Sequence, residues 1–331
     1  MSEETPVLRI HQTRSRANPG GMDVRKIIGD EVLPFRSRKP AWFKVPRPGS
    51  EKYRELSKTI ADEGLHTVCK EAACPNIGDC WDRGTATFMI LGDTCTRRCG
   101  FCNVKTGKPT WNDPLEPLRV ARSVARMGLR HAVITSVDRD DLPDYGASVW
   151  CGVIRSVRMQ APLTKIECLT PDFRGEEMPL ARVIAERPDV FNHNLEVAPR
   201  LYPVARRGST WKRSLRVLAN AQEMGEGEVA TKSGLMVGFG ETHEELVDAF
   251  GQMREAGVQI LTVGQYLRPT ERHLPVVRYW APEEFKALEV AAYELGFEHV
   301  AAGPLVRSSY HADEHFPQDQ PGVGPLAVAT A

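Results

Sequence analysis

From residue 85 onward the chain alternates short β-branched runs with amphipathic stretches, and this alternation constrains its fold more than any other feature. The apolar runs are TATFMIL (85–91), HAVITSV (131–137), KIECLT (165–170), VFNHNLEV (190–197), TKSGLMVGF (231–239) and QILTVGQYL (259–267). Helical patterns fill the intervals near 116–127, 146–159, 178–187, 212–224 and 242–256, and another covers 282–295. Repeated βα units build a parallel sheet, because each crossover returns the chain to the same end of the next strand. Six units suit either an incomplete barrel or a doubly wound open sheet, and periodicity does not choose between them. Upstream, SEKYRELSKTIADEG puts Tyr53, Leu56 and Ile60 on one helical face, with Gly64 placed to end the helix.

The 331 residues suit one α/β domain with added termini, and 41% hydrophobic with 26% charged residues is ordinary for a globular chain. Forty-three basic residues balance 43 acidic ones, which leaves no electrostatic footprint for nucleic acid or an anionic membrane as the main partner. The opening MSEETPVLRI has no secretory-signal character, and no later run reaches about 18 apolar residues, so a cytoplasmic chain is expected. Six of the eight cysteines fall in two tight groups between positions 69 and 102. In a cytosolic setting such grouping points to metal or redox chemistry rather than to disulfides.

Cys95, Cys99 and Cys102 lie in CTRRCGFC, directly after the first strand of the repeat, where barrel folds put their chemistry. Thiolates are soft ligands suited to iron-sulfur clusters, and three of them leave one iron open. A zinc knot would want four Cys or His ligands in paired spacing, and no second CxxC is present to pair with this one. The C-x3-C-x2-C spacing, with Phe101 as the aromatic before the last cysteine, resembles the radical S-adenosylmethionine (SAM) superfamily. That resemblance implies a 4Fe-4S cluster whose open iron chelates SAM and reduces its sulfonium, releasing a 5'-deoxyadenosyl radical. Gly234, Met236, Gly238 and Glu241 in GLMVGFGE resemble the superfamily's adenosine-lining segment. Glycine there lets backbone approach a ligand closely. With the cysteine triad, this match favours an incomplete (β/α)6 TIM-like barrel of the radical SAM type. Lys232, Ser233, Asn194 and Glu196 are candidate SAM-facing residues by strand-end position.

Cys69, Cys74 and Cys80 form a second triad in CKEAACPNIGDCW, and Arg307, Ser308, Ser309 and Tyr310 form RSSY near the other end. The C-x4-C-x5-C group and the RSSY group, in this order, resemble the lipoyl synthase family from about Lys39 to about Asp313. The resemblance implies insertion of two sulfur atoms at the sixth and eighth carbons of a protein-bound octanoyl chain. It also implies two 4Fe-4S clusters, the auxiliary one being the sacrificial sulfur source, and SAM as cosubstrate. By the same matching, Ser309 completes the auxiliary cluster, with Ser308 the alternative, and Arg307 belongs to the catalytic set. A serine oxygen is a hard, weak ligand for iron of this kind and leaves readily.

Implied partners are octanoylated lipoyl domains of 2-oxoacid dehydrogenases or the H protein of glycine cleavage, a flavodoxin or ferredoxin-type reductant, and an iron-sulfur carrier protein. The expected divisions are a flexible arm (1–40), an extension with the auxiliary cysteines (41–84), the partial barrel (85–296), the RSSY segment (297–315) and a mobile tail (316–331). A further short strand fits within GFEHVAAG. Cys151 and Cys168 read as buried core thiols. Asp138, Asp140, Asp141 and Asp144 crowd one active-face loop, where acidic residues are commonly solvated or cap a helix. His193, His311 and His315 could approach the mouth. Rival readings are a methylthiotransferase, which would want an added nucleic-acid or protein-binding domain, and a passive electron carrier, which leaves GLMVGFGE without a purpose.

Overall fold

The computed structural model describes residues 8, 9, 24–45, 48–71, 74, 76–82, 85–110 and 112–309. Seven strands carry the fold: β1 (Thr85–Ile90), β2 (His131–Ser136), β3 (Lys165–Leu169), β4 (Val190–Asn192), β5 (Ala230–Val237), β6 (Ile260–Gln265) and β7 (His299–Gly303). They lie side by side in chain order and every neighbouring pair is parallel. A doubly wound sheet reverses its order part-way. This one never does, so it is the singly wound, incomplete barrel, with the extra strand β7 taken from the HVAAG run. At the free edge of β1, His66–Thr67 adds a short antiparallel strand opposite Met89 and Phe88.

The helices α1 (Glu116–Arg126), α2 (Ala147–Gln160), α3 (Glu177–Ala185), α4 (Trp211–Met224), α5 (His243–Glu255) and α6 (Pro282–Glu294) follow successive strands. Their starts are locally encoded. Thr210 accepts from Arg213 N at 3.2 Å before α4, and Thr242 and Glu245 form a reciprocal capping box at α5. Trp150, Phe250 and Phe285, from α2, α5 and α6, are fully buried in the main core with Cys168 of β3. Cys151 of α2 is also buried, as expected of a core thiol. The run VFNHNLEV gives a strand over Val190–Asn192 only. Beyond it the backbone leaves strand geometry, because Glu196 adopts a positive φ of 72° and rejoins β5 at a single bridge to Leu235.

The barrel floor is ionic. Lys232 Nζ lies 2.9 Å from Glu167 Oε2, His131 Nε2 lies 3.3 Å from the same oxygen, and Asn192 Nδ2 donates to Glu167 Oε1 at 2.7 Å. All four side chains are at most 2% exposed. Burial by itself would raise the Glu167 carboxyl, but Lys232, with His131 and Asn192, outweighs it and holds the group down at about 2. Lys232→Met should therefore cost about 3–5 kcal/mol in chemical denaturation at neutral pH, since it strands a buried carboxylate. The wild-type contribution is present above the unfolded carboxyl value of about 4.3 and is lost as pH falls toward the folded one. An unfolding midpoint unchanged by Lys232→Met would refute this account.

Residues 24–45 pack on the β6–α6 side: Leu33 N donates to Val276 O at 2.8 Å and the Phe43 ring lies 5.2 Å from that of Tyr279. The helix Glu51–Asp62 begins at Ser50, which accepts from Tyr53 N, and Tyr53 stacks on buried Trp81 at 5.0 Å. Among the described residues no helix is long and apolar enough to cross a membrane.

Candidate active site

The first cysteine loop leaves the carboxyl end of β1. Buried Glu116 of α1 accepts from Leu91 N at 2.8 Å and Gly92 N at 3.3 Å, which fixes the exit of the strand. Thr94–Cys95 then pairs with Lys105–Thr106 and brackets the Cys99–Cys102 turn. Gly100 is sandwiched: its N donates to Ala205 O at 2.8 Å and its O accepts from Leu274 N at 2.9 Å. A Cβ there would meet Val204 O at 2.8 Å, so a larger residue would push the turn off its support.

Burial raises all three thiols. Cys95 is pushed up to about 12, with the Asp138 carboxylate adding to the effect; Cys102 is pushed up to about 11; and Cys99 lies well above its ordinary value, with Cys102 beside it. The backbone N–H groups of Arg97 and Asp138 each point at Cys95 Sγ from 3.4 Å. Arg97 is buried and locks the loop to the ends of β2 and β3. Its guanidinium makes two bonds of 2.8 Å to Asp140, lies 2.7 Å from Asp172 and lies 3.3 Å from Asp138. Buried Arg206 donates to Tyr202 and Ser214 and meets His193 Nε2 at 3.3 Å. Burial, with Arg206 beside it, pushes His193 down to about 3, so the ring stays neutral. Asp141 pairs with Arg139 at 2.9 Å, and Asp144 caps α2 through Ser148 N, so these acids are structural.

The second triad lies at the β1 edge of the sheet, with Cys69 on the helix Val68–Glu71, Cys80 on the helix Ile77–Asp82 and Cys74 between them. Cys69 and Cys80 are buried and Cys74 is half-buried. Cys74 N donates to Cys69 O, and Cys80 N to Asn76 O, both at 3.0 Å. Burial, and then Cys74, raises the Cys69 thiol. Asn103, next to Cys102, donates from Nδ2 to Glu71 O at 3.1 Å, so the two cysteine loops touch.

The RSSY segment reaches the same place from β7. Asn76, only 4% exposed, donates from Nδ2 to Leu305 O at 2.5 Å. Burial lowers the pKa of Arg307, and the nearby Cys74 thiol acts in the opposite direction. A Cβ on Gly264 would meet Val306 O at 2.1 Å, so glycine at this point of β6 is what admits the segment. The two edges of the open sheet are thus joined by these two motifs and not by strand pairing. Ser308 and Ser309 are half-buried; Tyr310, His311 and His315 lie outside the described residues.

Asn194, Glu196, Gly234 and Met236 line one cleft with Arg307 and Ser308. Burial raises the Glu196 carboxyl, against the opposing pull of Arg206. A Cβ on Gly234 would meet Thr262 Oγ1 at 2.5 Å, and buried Asn194 Oδ1 has no hydrogen-bond partner among the described residues. Glu241 lies apart from the cleft. It accepts from Gly238 N at 2.6 Å, Phe239 N at 2.9 Å and Trp280 Nε1 at 3.0 Å, bracing the turn after β5 where Gly238 has a φ of 112°. Lys232 is on the barrel floor, and Ser233 donates to His193 O at 2.8 Å. Sequence reasoning missed Arg97, Arg206, Asn76, Thr262 and Gly264. Arg97, inside the first motif, and Asn76, inside the second, carried a local signal.

The radical SAM superfamily profile matches residues 89–253. A lipoyl synthase of Rubrobacter xylanophilus is 55% identical over 289 residues, covering 86% of this chain and 90% of the relative. Another, from Thermus thermophilus, is 53% identical over 285 residues, with 86% and 88% covered. The chain belongs to the lipoyl synthase family. The structure of Streptococcus suis SuiB bound to precursor peptide SuiA shares the fold, with a TM-score of 0.53 at 12% identity, over 76% of this chain and 52% of that one. Lipoyl synthases of this family use SAM and 4Fe-4S clusters, and the residues here fit both. Each triad offers thiols with no disulfide partner. In the cleft beside Gly234, the amide oxygen of Asn194 has no hydrogen-bond partner among the described residues.

Proposed function

We propose that in this lipoyl synthase the two cysteine loops divide the work. Cys95, Cys99 and Cys102 hold the cluster that binds SAM; Cys69, Cys74, Cys80 and Ser309 hold the cluster that gives up sulfur. The observation that carries this reading is the contact between Asn76 and Leu305, which joins motifs 229 positions apart. A serine two residues beyond Arg307 can then reach the edge of the second triad. When bound, the first cluster supplies the electron that cleaves SAM, and the second supplies two sulfur atoms to the sixth and eighth carbons of a protein-bound octanoyl chain.

The chain's own residues bind and orient. Asn194 and Glu196 offer polar groups beside the bare backbone of Gly234 and Met236, and Gly238 with Glu241 holds that strand end in shape. Arg307 brings a positive charge to the second loop, opposite the charge of ligand thiolates. The acyl arm would enter by the side of the open sheet, where no strand closes the barrel. Octanoylated lipoyl domains or the glycine cleavage H protein would present that arm, a flavodoxin or ferredoxin would supply electrons, and an iron-sulfur carrier would rebuild the spent cluster, all in the cytoplasm. Mass spectrometry of an octanoylated lipoyl-domain peptide after incubation with SAM, reductant and the reconstituted protein tests the reading; a gain of two sulfurs is expected, and unmodified peptide alongside cleaved SAM would count against it.

Ser309 allows a sharper test. Thiolate matches iron better than a serine oxygen does, so Ser309→Cys should give an auxiliary cluster at least as stable as wild type yet transfer little sulfur. Ser309→Ala should make that cluster labile while SAM cleavage continues. Iron retention and product sulfur are measured in both, with the same changes at Ser308 as controls. Wild-type product formation by Ser309→Cys, or impairment confined to the Ser308 variants, would remove Ser309 from the ligand set.

A further inference from the structure

The outer rim of the first cysteine loop carries charge that the chemistry above does not use. Two other segments meet the Cys99–Cys102 turn: Gly100 N donates to Ala205 O, Leu274 N donates to Gly100 O, and His273 Nε2 lies 3.0 Å from Cys102 O. The loop and both segments each bring an arginine to this place. Arg98 follows Arg97 in the loop, Arg207 lies two residues past Ala205, and Arg272 precedes His273. Arg98 and Arg272 are exposed and Arg207 is half-buried.

Their neighbours in sequence are committed inward: Arg97 binds three carboxylates, and Arg206 binds Tyr202, Ser214 and His193. Among the described residues none of the three rim guanidiniums has an ion-pair or hydrogen-bond partner. Arg98 is also close enough to Arg207 for its charge, after burial, to depress the Arg207 pKa. A solvated cationic face would be expected to spread like charges apart. Here three separate segments converge on one turn, and two of the cations repel each other with no internal anion between them.

We propose that Arg98, Arg207 and Arg272 form the docking rim for an acidic one-electron carrier protein that reduces the cluster on the Cys95–Cys102 loop. This rests on the assignment of that loop to the SAM-cleaving cluster. In the step, the carrier is oxidised by one electron and the cluster is reduced by one, with no bond or proton exchanged. The rim favours a reductant over the octanoyl carrier because it surrounds the cluster-bearing turn itself, whereas the cleft is lined by residues of 194–196, β5, β6 and 306–308, none of which is one of these arginines. A cationic rim raises the encounter rate with an acidic partner and makes that rate salt-dependent.

The test uses the reconstituted full chain, an Arg207→Glu/Arg272→Glu double variant and a separate Arg98→Gln variant. SAM cleavage is driven either by reduced flavodoxin or by dithionite with methyl viologen. The flavodoxin-driven rate at low salt should fall about tenfold or more and lose its salt dependence, while the viologen-driven rate stays within about twofold of wild type. An unchanged flavodoxin-driven rate overturns the proposal. So does a parallel loss with viologen, which would make the arginines part of cluster or SAM binding, or an effect confined to the KM for an octanoylated lipoyl domain, which would make the rim that domain's dock. Failure of the wild-type protein to cleave SAM with viologen would instead sink the cluster assignment, a separate result.

Discussion

Replacing Cys95, Cys99 and Cys102 together by Ala should abolish 5'-deoxyadenosine formation and cut bound iron from about eight atoms to about four, as expected for two 4Fe-4S clusters of which one is lost. The loss should be complete because no other thiol stands ready: Cys151 and Cys168 are buried in α2 and β3. The remaining iron should survive because the second triad rests on its own helices and on β1, and it meets the first loop through the bond from Asn103 to Glu71 O. Iron analysis and chromatography of SAM products check both halves. A variant that still cleaved SAM would show that the first triad does not hold the radical-generating cluster.

The complementary variant, Cys69, Cys74 and Cys80 all to Ala, should keep SAM cleavage and yield no sulfur-bearing product. The geometry separates the two outcomes. The Gly100 turn is held by Ala205 and Leu274, and Arg97 by Asp138, Asp140 and Asp172, and none of these belongs to the second motif. The radical-generating half should therefore stand without its neighbour, so 5'-deoxyadenosine should still form while mass spectrometry of the octanoylated peptide finds no sulfur gain. Sulfur insertion by this variant would refute the donor role of the triad and require an external sulfide source.

The sequence by itself determined the periodic parts and the candidate ligands. β-Branched runs and amphipathic intervals are local patterns, so six strands and six helices could be read directly, and thiol spacing within CTRRCGFC or CKEAACPNIGDCW is a property of a few consecutive residues. Where a side chain's role depended on what lay opposite, the sequence was silent. Lys232 precedes Gly234 in β5 and read as a residue facing SAM, yet its strand register puts it against Glu167 on the barrel floor. Glu241, in the same motif, turns back on Gly238 and Phe239. Arg97 and Arg98 are adjacent and chemically identical, and only the folded loop decides that one is buried among three carboxylates while the other faces outward. Strand order needed tertiary structure too, because the same βα alternation suits sheets that reverse and sheets that do not. The meeting of Asn76 with Leu305 needed it most: closing 229 residues of chain into one contact is determined by how the two edges of an unclosed barrel approach each other, and no local pattern records that distance.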